Sequence, residues 1–198
     1  MLLEHLAQGE RGVDALADKT GLSVANCSQH LQQLRHAGLA TSRRKGKAVI
    51  YRMTDTRTLT LMDLLRGVAA SNLDRVDNIL RSLSDGQDMP EPLSREELAQ
   101  RMAEGAVTVL DIRPRDEFDM GHIPGAQQVT LVDLDRIIPD LDPVTEVVAY
   151  CRGPYCIYAH QAVAVLRRKG LNARRMEGGL PEWRAEGRPV LSGPEGRV

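Results

Sequence analysis

Along the first part of the chain apolar residues recur every three to four positions, in two short stretches set close together. Val13 to Lys19 puts Val13, Leu16 and Ala17 on one side and stops at Thr20-Gly21, where glycine can take the left-handed backbone that ends a helix. Ser23 is a suitable N-cap for the next helix, which runs through VANCSQHLQQLRHA to Gly38 with Val24, Cys27, Leu31 and Leu34 as its expected buried stripe. Two such helices joined by a tight turn predict a helix-turn-helix. In LATSRRKGKAVIYRMT, Thr41 and Ser42 on one side and Val49, Ile50 and Tyr51 on the other flank a turn expected at Arg43-Arg44-Lys45-Gly46-Lys47, which predicts a β-hairpin with a basic tip. From Arg57 to Leu83 a longer periodic segment lines up Leu61, Leu65, Val68, Val76, Ile79, Leu80 and Leu83; a helix of that length in so small a unit needs a partner surface.

Beyond this the periodicity breaks at Ser84 to Ser94, where Gly86, Pro90 and Pro92 interrupt every helical pattern. The second half alternates patterns: SREELAQRMAEG as a helix with a capping-box start, VTVLDIR as a strand, VVAYC as a short buried strand, IYAHQAVAVLRRKG as a helix. Strands and helices in alternation predict an α/β domain with a mainly parallel sheet. The expected organisation is residues 1–84 as a mainly α domain, 85–93 as linker, 94–190 as the α/β domain and 191–198 as a tail.

Charge sharpens the division. The 198 residues carry a formal net charge of −1, but residues 1–85 hold 12 Lys and Arg against 9 Asp and Glu, whereas the remainder holds 14 against 18. The positive excess is clustered: Arg43, Arg44, Lys45, Lys47 and Arg52 fall within ten residues with no acid among them. The polar face of the second helix carries Asn26, Ser28, Gln29, Gln32, Gln33 and Arg35, with Ser23 at its start; these side chains can meet base edges and phosphates. A helix-turn-helix followed at once by a basic hairpin is a winged helix, so double-stranded DNA is the expected partner, the helix in the major groove and the wing on phosphates.

Residues 13–53, VDALADKTGLSVANCSQHLQQLRHAGLATSRRKGKAVIYRM, resemble the ArsR family of small winged-helix repressors. The resemblance implies operator binding as a homodimer, release of DNA when a ligand or thiol modification changes the dimer, and pairing of the Arg57 to Leu83 helix with its dimer mate. Two departures stand out. Where arsenic and cadmium sensors of that family carry a cysteine pair, this chain has Val13-Asp14-Ala15-Leu16-Ala17, and family members usually have one more helix before the point where Met1 stands.

Cysteine usage points to the second half. Cys27, Cys151 and Cys156 cannot form a disulfide framework, no CxxC pair offers a zinc clip, and the five histidines share no ligand-like spacing, so no metal site and no cofactor is expected. The longest uncharged apolar-rich run, Gly153 to Leu166, is too short and too polar to span a bilayer, and the N-terminus does not read as a secretory signal; the expected location is cytoplasmic, with no membrane partner. In EVVAYCRGPYCIYAH, a cysteine at the carboxyl end of a buried strand meets a short Gly-Pro loop and a helix start. Backbone N–H groups and the helix dipole there are expected to lower the pKa of Cys151, the candidate nucleophile, with charge from Arg152 and an anion cradle from the amides of Gly153, Tyr155, Cys156 and Ile157. Cys156 reads either as a small helix-start residue or as a thiol that resolves a modified Cys151.

This half is similar to a single rhodanese domain, on LDIRPRDEFDMGHIPGA (Leu110 to Ala126), on Cys151 opening the loop, and on EGGLPEW (Glu177 to Trp183). The resemblance implies a cysteine persulfide taken from thiosulfate, polysulfide or a persulfide donor, with Asp111 and Arg113 in a structural motif near the site and His122 in its turn. The basic residue that often closes a rhodanese thiosulfate pocket is replaced by Tyr155-Cys156-Ile157, which implies weak thiosulfate turnover or another donor. A phosphatase-type Cys-x5-Arg loop is excluded because Ile157 stands where the arginine would be. The sequence therefore predicts a winged helix-turn-helix followed by a rhodanese-like domain: a homodimeric regulator, expected to repress, that senses or transfers sulfane sulfur. The alternatives are a sulfurtransferase with an accessory DNA-binding module, and a metalloid sensor using Cys27, Cys151 or Cys156.

Overall fold

The computed structural model describes residues 1–71, 90–154 and 156–193. The chain forms two compact units, Met1–Leu65 and Arg66–Val198. The expected boundary at residue 84 and residues 85–89 of the expected linker lie outside the described residues, as do Tyr155 and the end of the tail.

The first unit contains α1 (Leu2–Gln8), β1 (Arg11–Gly12), α2 (Val13–Thr20), α3 (Val24–His36), β2 (Ala40–Lys45) and β3 (Ala48–Met53), and α4 (Arg57–Ser71) begins in it and continues past Leu65. Gly21 ends α2 at φ 69°, its N–H returning to the carbonyl of Ala17, and Ser23 opens α3 by accepting the N–H of Asn26 on its Oγ. The two helices and the hairpin close over Leu6, Leu16, Cys27, Leu31 and Tyr51. Periodicity placed Cys27 and Leu31 correctly, but Val24 is 51% exposed. As the first residue of α3 it lies past the edge of the apolar face that the helix presents. α1 and β1 had not been expected; Leu6 joins the core, and β1 adds a third, antiparallel strand beside β3.

The hairpin differs from expectation in its turn. Lys45 pairs with Ala48, so the connection is only Gly46-Lys47, with Gly46 at φ 62° supplying the left-handed conformation that a two-residue loop requires. Arg43, Arg44 and Lys45 are strand residues and alternate between the two sides of the ribbon. α4 seats Thr58 and Leu59 but leaves Leu61, Leu64, Leu65 and Val68 exposed; residues 72–83 of the expected long helix lie outside the described residues.

The second unit contains α5 (Arg95–Ala103), β4 (Val107–Asp111), α6 (Arg115–Met120), β5 (Gln127–Gln128), α7 (Leu134–Ile137) running into a 3₁₀ turn (Ile138–Asp140), β6 (Glu146–Tyr150), α8 (Ile157–Arg168), β7 (Ala173–Arg175) and α9 (Leu180–Ala185). The strand order is β5-β4-β6-β7, and every pair is parallel. β6 is buried at all five positions, as a central strand covered on both faces must be. Alternate residues serve two cores. Leu110, Val147 and Ala149 pack with Ala162, Val163 and Leu166 of α8, while Val109, Val148 and Tyr150 pack with Leu98, Phe118 and Trp183. No described helix is long and apolar enough to cross a membrane.

At the carboxyl ends of β4 and β6 a polar knot is sealed inside this packing. Asp111 and Arg113 are both fully buried and form a two-pronged ion pair; Tyr150 donates its hydroxyl to Asp111 Oδ2 at 2.6 Å and accepts the N–H of Ile123 at 3.1 Å. Burial would discharge Arg113, but the hydrogen bonds and charge of Asp111 raise its pKa above the ordinary value and keep it cationic. Burial also raises the Tyr150 pKa, so its phenol stays protonated and remains a donor. Tyr150→Phe removes one donor from the carboxylate and the acceptor from Ile123. The expected loss is about 1–3 kcal/mol of unfolding free energy, measured as a lower urea midpoint at an unchanged slope.

Candidate functional site: a two-thiol loop and a polar helix face

Cys151 follows directly on β6, at the carboxyl edge of the sheet where the order β5-β4-β6-β7 reverses direction, a position at which parallel sheets open a crevice. The backbone fixes it there. Its carbonyl accepts the N–H of Leu180 at 3.2 Å, and the extended Gly179 lies so close that a side chain would be driven into the backbone of Gly153 and Cys151. The loop then turns through Arg152, Gly153 and Pro154 and meets α8, with Cys156 as the residue before its first turn. Cys151, Arg152, Gly153, Cys156 and Ile157 are thereby brought into one loop. Asp111 and Arg113 lie in the buried knot instead, bonded to Tyr150 and to the carbonyl of Gly121.

The electrostatics of the loop differ from expectation in three respects. The N–H of Cys156 donates to the carbonyl of Gly153 at 3.1 Å, closing a tight turn, so it is taken out of the expected anion cradle. Arg152 is forked onto Glu117 through Nε and a terminal nitrogen at 2.9–3.1 Å, and Glu117 is fully buried, so most of the arginine's charge is compensated inside the protein. The third difference concerns the thiols. The pKa of Cys151 is raised by the hydrogen bond it donates to Cys156, by burial and by that neighbour's charge. Cys156 is lowered to about 6, first by the hydrogen bond from Cys151 and, against the cost of burial, by the N–H groups of Arg152 and Tyr158 and the charge of Arg152. Those N–H groups act at longer range than a full capping bond, since Cys156 caps α8 without one. The hydrogen bond from Cys151, with a smaller contribution from the helix start, thus favours the thiolate at Cys156.

Spacing had not singled out Glu117, Tyr150, Gly179 or His160. Glu117 lies in the DEF segment, far from Arg152 in sequence, and nothing local marks the two as partners. His160, one turn into α8, is buried and donates Nδ1–H to the carbonyl of Cys156 at 3.2 Å; burial lowers its pKa and keeps it neutral. It supports the loop backbone. His122 is fully buried, stacked on Phe118 at 3.7 Å between ring centroids, with Nδ1–H on the carbonyl of Phe118.

In the first unit the polar face of α3 is open to solvent: Ser23, Asn26, Gln29, Gln32, Gln33 and Arg35 are exposed and Ser28 is half-buried. The Oγ of Ser23 already caps the helix, which orients its hydroxyl. On the wing Arg44, Lys45, Lys47 and Arg52 are exposed, while Arg43 is ion-paired with Glu10, whose pKa it lowers. Cys27 is a core residue: fully buried, its thiol donating to the carbonyl of Val13 at 3.7 Å, with its pKa raised by burial and by Asp14. Among the described residues no three or more His, Cys, Asp or Glu side chains are grouped as metal ligands.

Comparison with known proteins follows the same division. Residues 1–42 match the family described as bacterial regulatory protein, arsR family, and residues 94–186 match the rhodanese-like domain. The HTH-type transcriptional regulator Rv0324 of Mycobacterium tuberculosis is 37% identical over 193 residues, covering 97% of this chain and 84% of that protein. The chain belongs to the ArsR family of transcriptional regulators, with a rhodanese-like domain as its second half. A protein named sulfurtransferase from Allochromatium vinosum is 32% identical over 110 residues, covering 54% of this chain and all of that one. Among solved structures, the homodimeric winged helix-turn-helix domain of a possible ArsR-family regulator from Mycobacterium bovis is 38% identical, covering 37% of this chain and 68% of that one, with a TM-score of 0.35.

The hydrogen bond from Cys151 to Cys156 makes the loop of this ArsR-family chain testable by pH. Thiolate, and with it the rate of alkylation by iodoacetamide, should rise as pH rises through about 6. In Cys151→Ala the donor is gone, and the midpoint should move up toward the ordinary thiol value of 9.0. An unshifted midpoint in that variant would show that Cys151 does not donate to Cys156.

Proposed function

We propose that this ArsR-family regulator is a homodimeric, cytoplasmic repressor that binds operator DNA through residues 1–84 and senses reactive sulfane sulfur through residues 94–190. The observation that carries the reading is the pair Cys151 and Cys156: two free thiols on one short loop at the carboxyl end of a parallel strand, the first buried where β6 ends and the second half-buried at the start of α8. A persulfide or polysulfide donor can convert such a pair to a persulfide or a disulfide, a covalent change confined to one loop. For operator affinity to respond, the two loop states need to differ by about 1–3 kcal/mol in their effect on the DNA-binding form.

On the DNA side, α3 would present Asn26, Ser28, Gln29, Gln32, Gln33 and Arg35 to base edges and adjoining phosphates, Ser23 would sit at the backbone, and Arg43, Arg44, Lys45 and Lys47 would take phosphates. The exposed Leu61, Leu64, Leu65 and Val68 of α4 supply an apolar face of the kind a second copy covers, which supports dimerisation through that helix. In the loop, Cys151 and Cys156 would be the reacting groups. Arg152, Gly153, Tyr155 and Ile157 would shape the sulfur site from the loop, and Asp111 and Arg113 would support it from below. A second reading, a sulfurtransferase carrying an accessory DNA-binding module, is favoured by the likeness to the Allochromatium protein over that protein's whole length.

Two measurements test the proposal. Operator affinity of the reduced protein should fall several-fold to more than a hundredfold after treatment with a persulfide donor, the range set by that coupling energy, and Cys151→Ser should not respond. Multiple turnover of the donor with DNA affinity unmoved would favour the sulfurtransferase. Affinity should also drop steeply with salt, and replacing Arg44, Lys45 and Lys47 by Ala should flatten the slope by about 0.9 for each phosphate that those side chains neutralise.

A further inference from the structure

Rhodanese-like loops invite the assumption that the cysteine closing the strand takes the sulfur. Here the two sulfurs are placed differently. Cys151 is 1% exposed, its backbone pinned by Leu180 and walled by Gly179. Cys156 is only half-buried and stands at the start of α8, and the side chains that follow it, Ile157 and Tyr158, are 40% and 45% exposed. A donor arriving from solvent therefore meets Cys156 before Cys151. The charge around this entrance is also spent, since the fork of Arg152 is held by Glu117.

We propose that Cys156 is the thiol that receives sulfane sulfur, and that Cys151, sealed behind it, then closes a Cys151–Cys156 disulfide and expels the sulfur as hydrogen sulfide. The inference rests on the sulfane-sulfur reading above and fixes the order of events within it. In the first step the Cys156 thiolate attacks the terminal sulfur of a hydropersulfide R–S–SH. The Cys156 Sγ–S bond forms, the donor S–S bond breaks, and R–S⁻ leaves with the bonding pair. In the second step Cys151 attacks Cys156 Sγ and gives up its thiol proton. The bond to the added sulfur breaks, and that sulfur departs as HS⁻ and is protonated to hydrogen sulfide. Each cysteine sulfur is oxidised by one electron, the sulfane sulfur is reduced by two, and no other oxidant is needed.

The geometry also selects the donor. A dianion such as thiosulfate would approach Ile157 and an arginine already paired with a buried carboxylate, and gains little there. A hydropersulfide carries its reactive sulfur on a neutral or singly charged end and suits an entrance flanked by Ile157 and Tyr158.

The test uses the full chain, reduced and kept free of oxygen, with glutathione persulfide as the probe. Samples trapped early with iodoacetamide and mapped by peptide mass should carry the added sulfur on Cys156. Later samples should show a Cys151–Cys156 disulfide, with one hydrogen sulfide released per chain. Cys151→Ser should hold the added sulfur on Cys156 and release no sulfide, and Cys156→Ser should load Cys151 at least about tenfold more slowly. Early sulfur on Cys151 in the unaltered chain, or undiminished loading of Cys156→Ser, overturns the order while leaving sulfane-sulfur sensing intact. An unaltered chain that takes up no sulfur on either cysteine overturns both. Because the first measurement is made on the unaltered chain, the result does not depend on the variants folding.

Discussion

The second unit depends on a buried charge pair that is fully satisfied. Taking a carboxylate and a guanidinium out of water costs several kcal/mol for each ion, and attraction between them offsets this only where every remaining lone pair and proton finds a partner. Asp111 has both prongs of Arg113 and the hydroxyl of Tyr150; Arg113 also reaches the carbonyl of Gly121, and Tyr150 accepts from Ile123. Tyr150 is the last residue of β6 and Asp111 the last of β4, so the knot ties the ends of the two central strands to the turn before β5. Cys151 is the next residue along. Its position is thus fixed by a network it does not belong to, and the loop can change chemically while its root stays in place.

Above that root, charge is arranged by compensation. Arg152 would be an anion-binding group if it stood alone, but Glu117 reaches it from α6 and takes its fork. What remains to stabilise an anionic sulfur is short in range: the neighbouring thiol, two backbone N–H groups and what is left of the arginine's field. Short-range stabilisation of that kind favours a thiolate that is part of the protein over a dianion brought in from solution. The hydrogen bond that lowers the pKa of Cys156 raises that of Cys151, because it favours the acceptor as thiolate and the donor as thiol.

Most of the framework was legible in the sequence because it rests on local rules. Gly21, Ser23 and Ser94 mark helix ends through their own backbone or hydroxyl groups, and the unbroken apolar run Val147-Val148-Ala149 reads as a strand covered on both faces. What sequence reading missed depends on partners distant along the chain. Glu117 and Arg152 are 35 residues apart, and Tyr150 and Asp111 are 39 apart. The wing turn was misjudged for another reason: a run of basic residues looks like a loop by composition, whereas the loop is only Gly46-Lys47, with Gly46 in the left-handed conformation, and Arg43 to Lys45 stay in the strand. The lowered pKa was expected at Cys151 from its place after a strand. The sequence already placed Cys156 at the helix start and near Cys151; the difference in burial between the two thiols, and the hydrogen bond that Cys151 donates, reverse the expected direction and depend on the folded chain.

The contrast between the two cysteines has a mechanical side. Cys151 belongs to the end of a strand hydrogen-bonded on both sides, so its backbone moves only if the sheet moves. Cys156 stands just before the first turn of a helix, whose leading residues Ile157 and Tyr158 are exposed and whose first N–H groups have no carbonyl one turn back within the helix. Any bond drawn between the two sulfurs must therefore be accommodated by the loop and the start of α8, because that is the compliant side. His160 is on that side as well, donating to the carbonyl of Cys156, and Gly153 accepts the N–H of the same residue. Both bonds report directly on where the loop's last residue sits. On the proposed chemistry, a bond between the sulfurs would displace one end of a single helix, while the sheet and the buried charge pair beneath it would hold still.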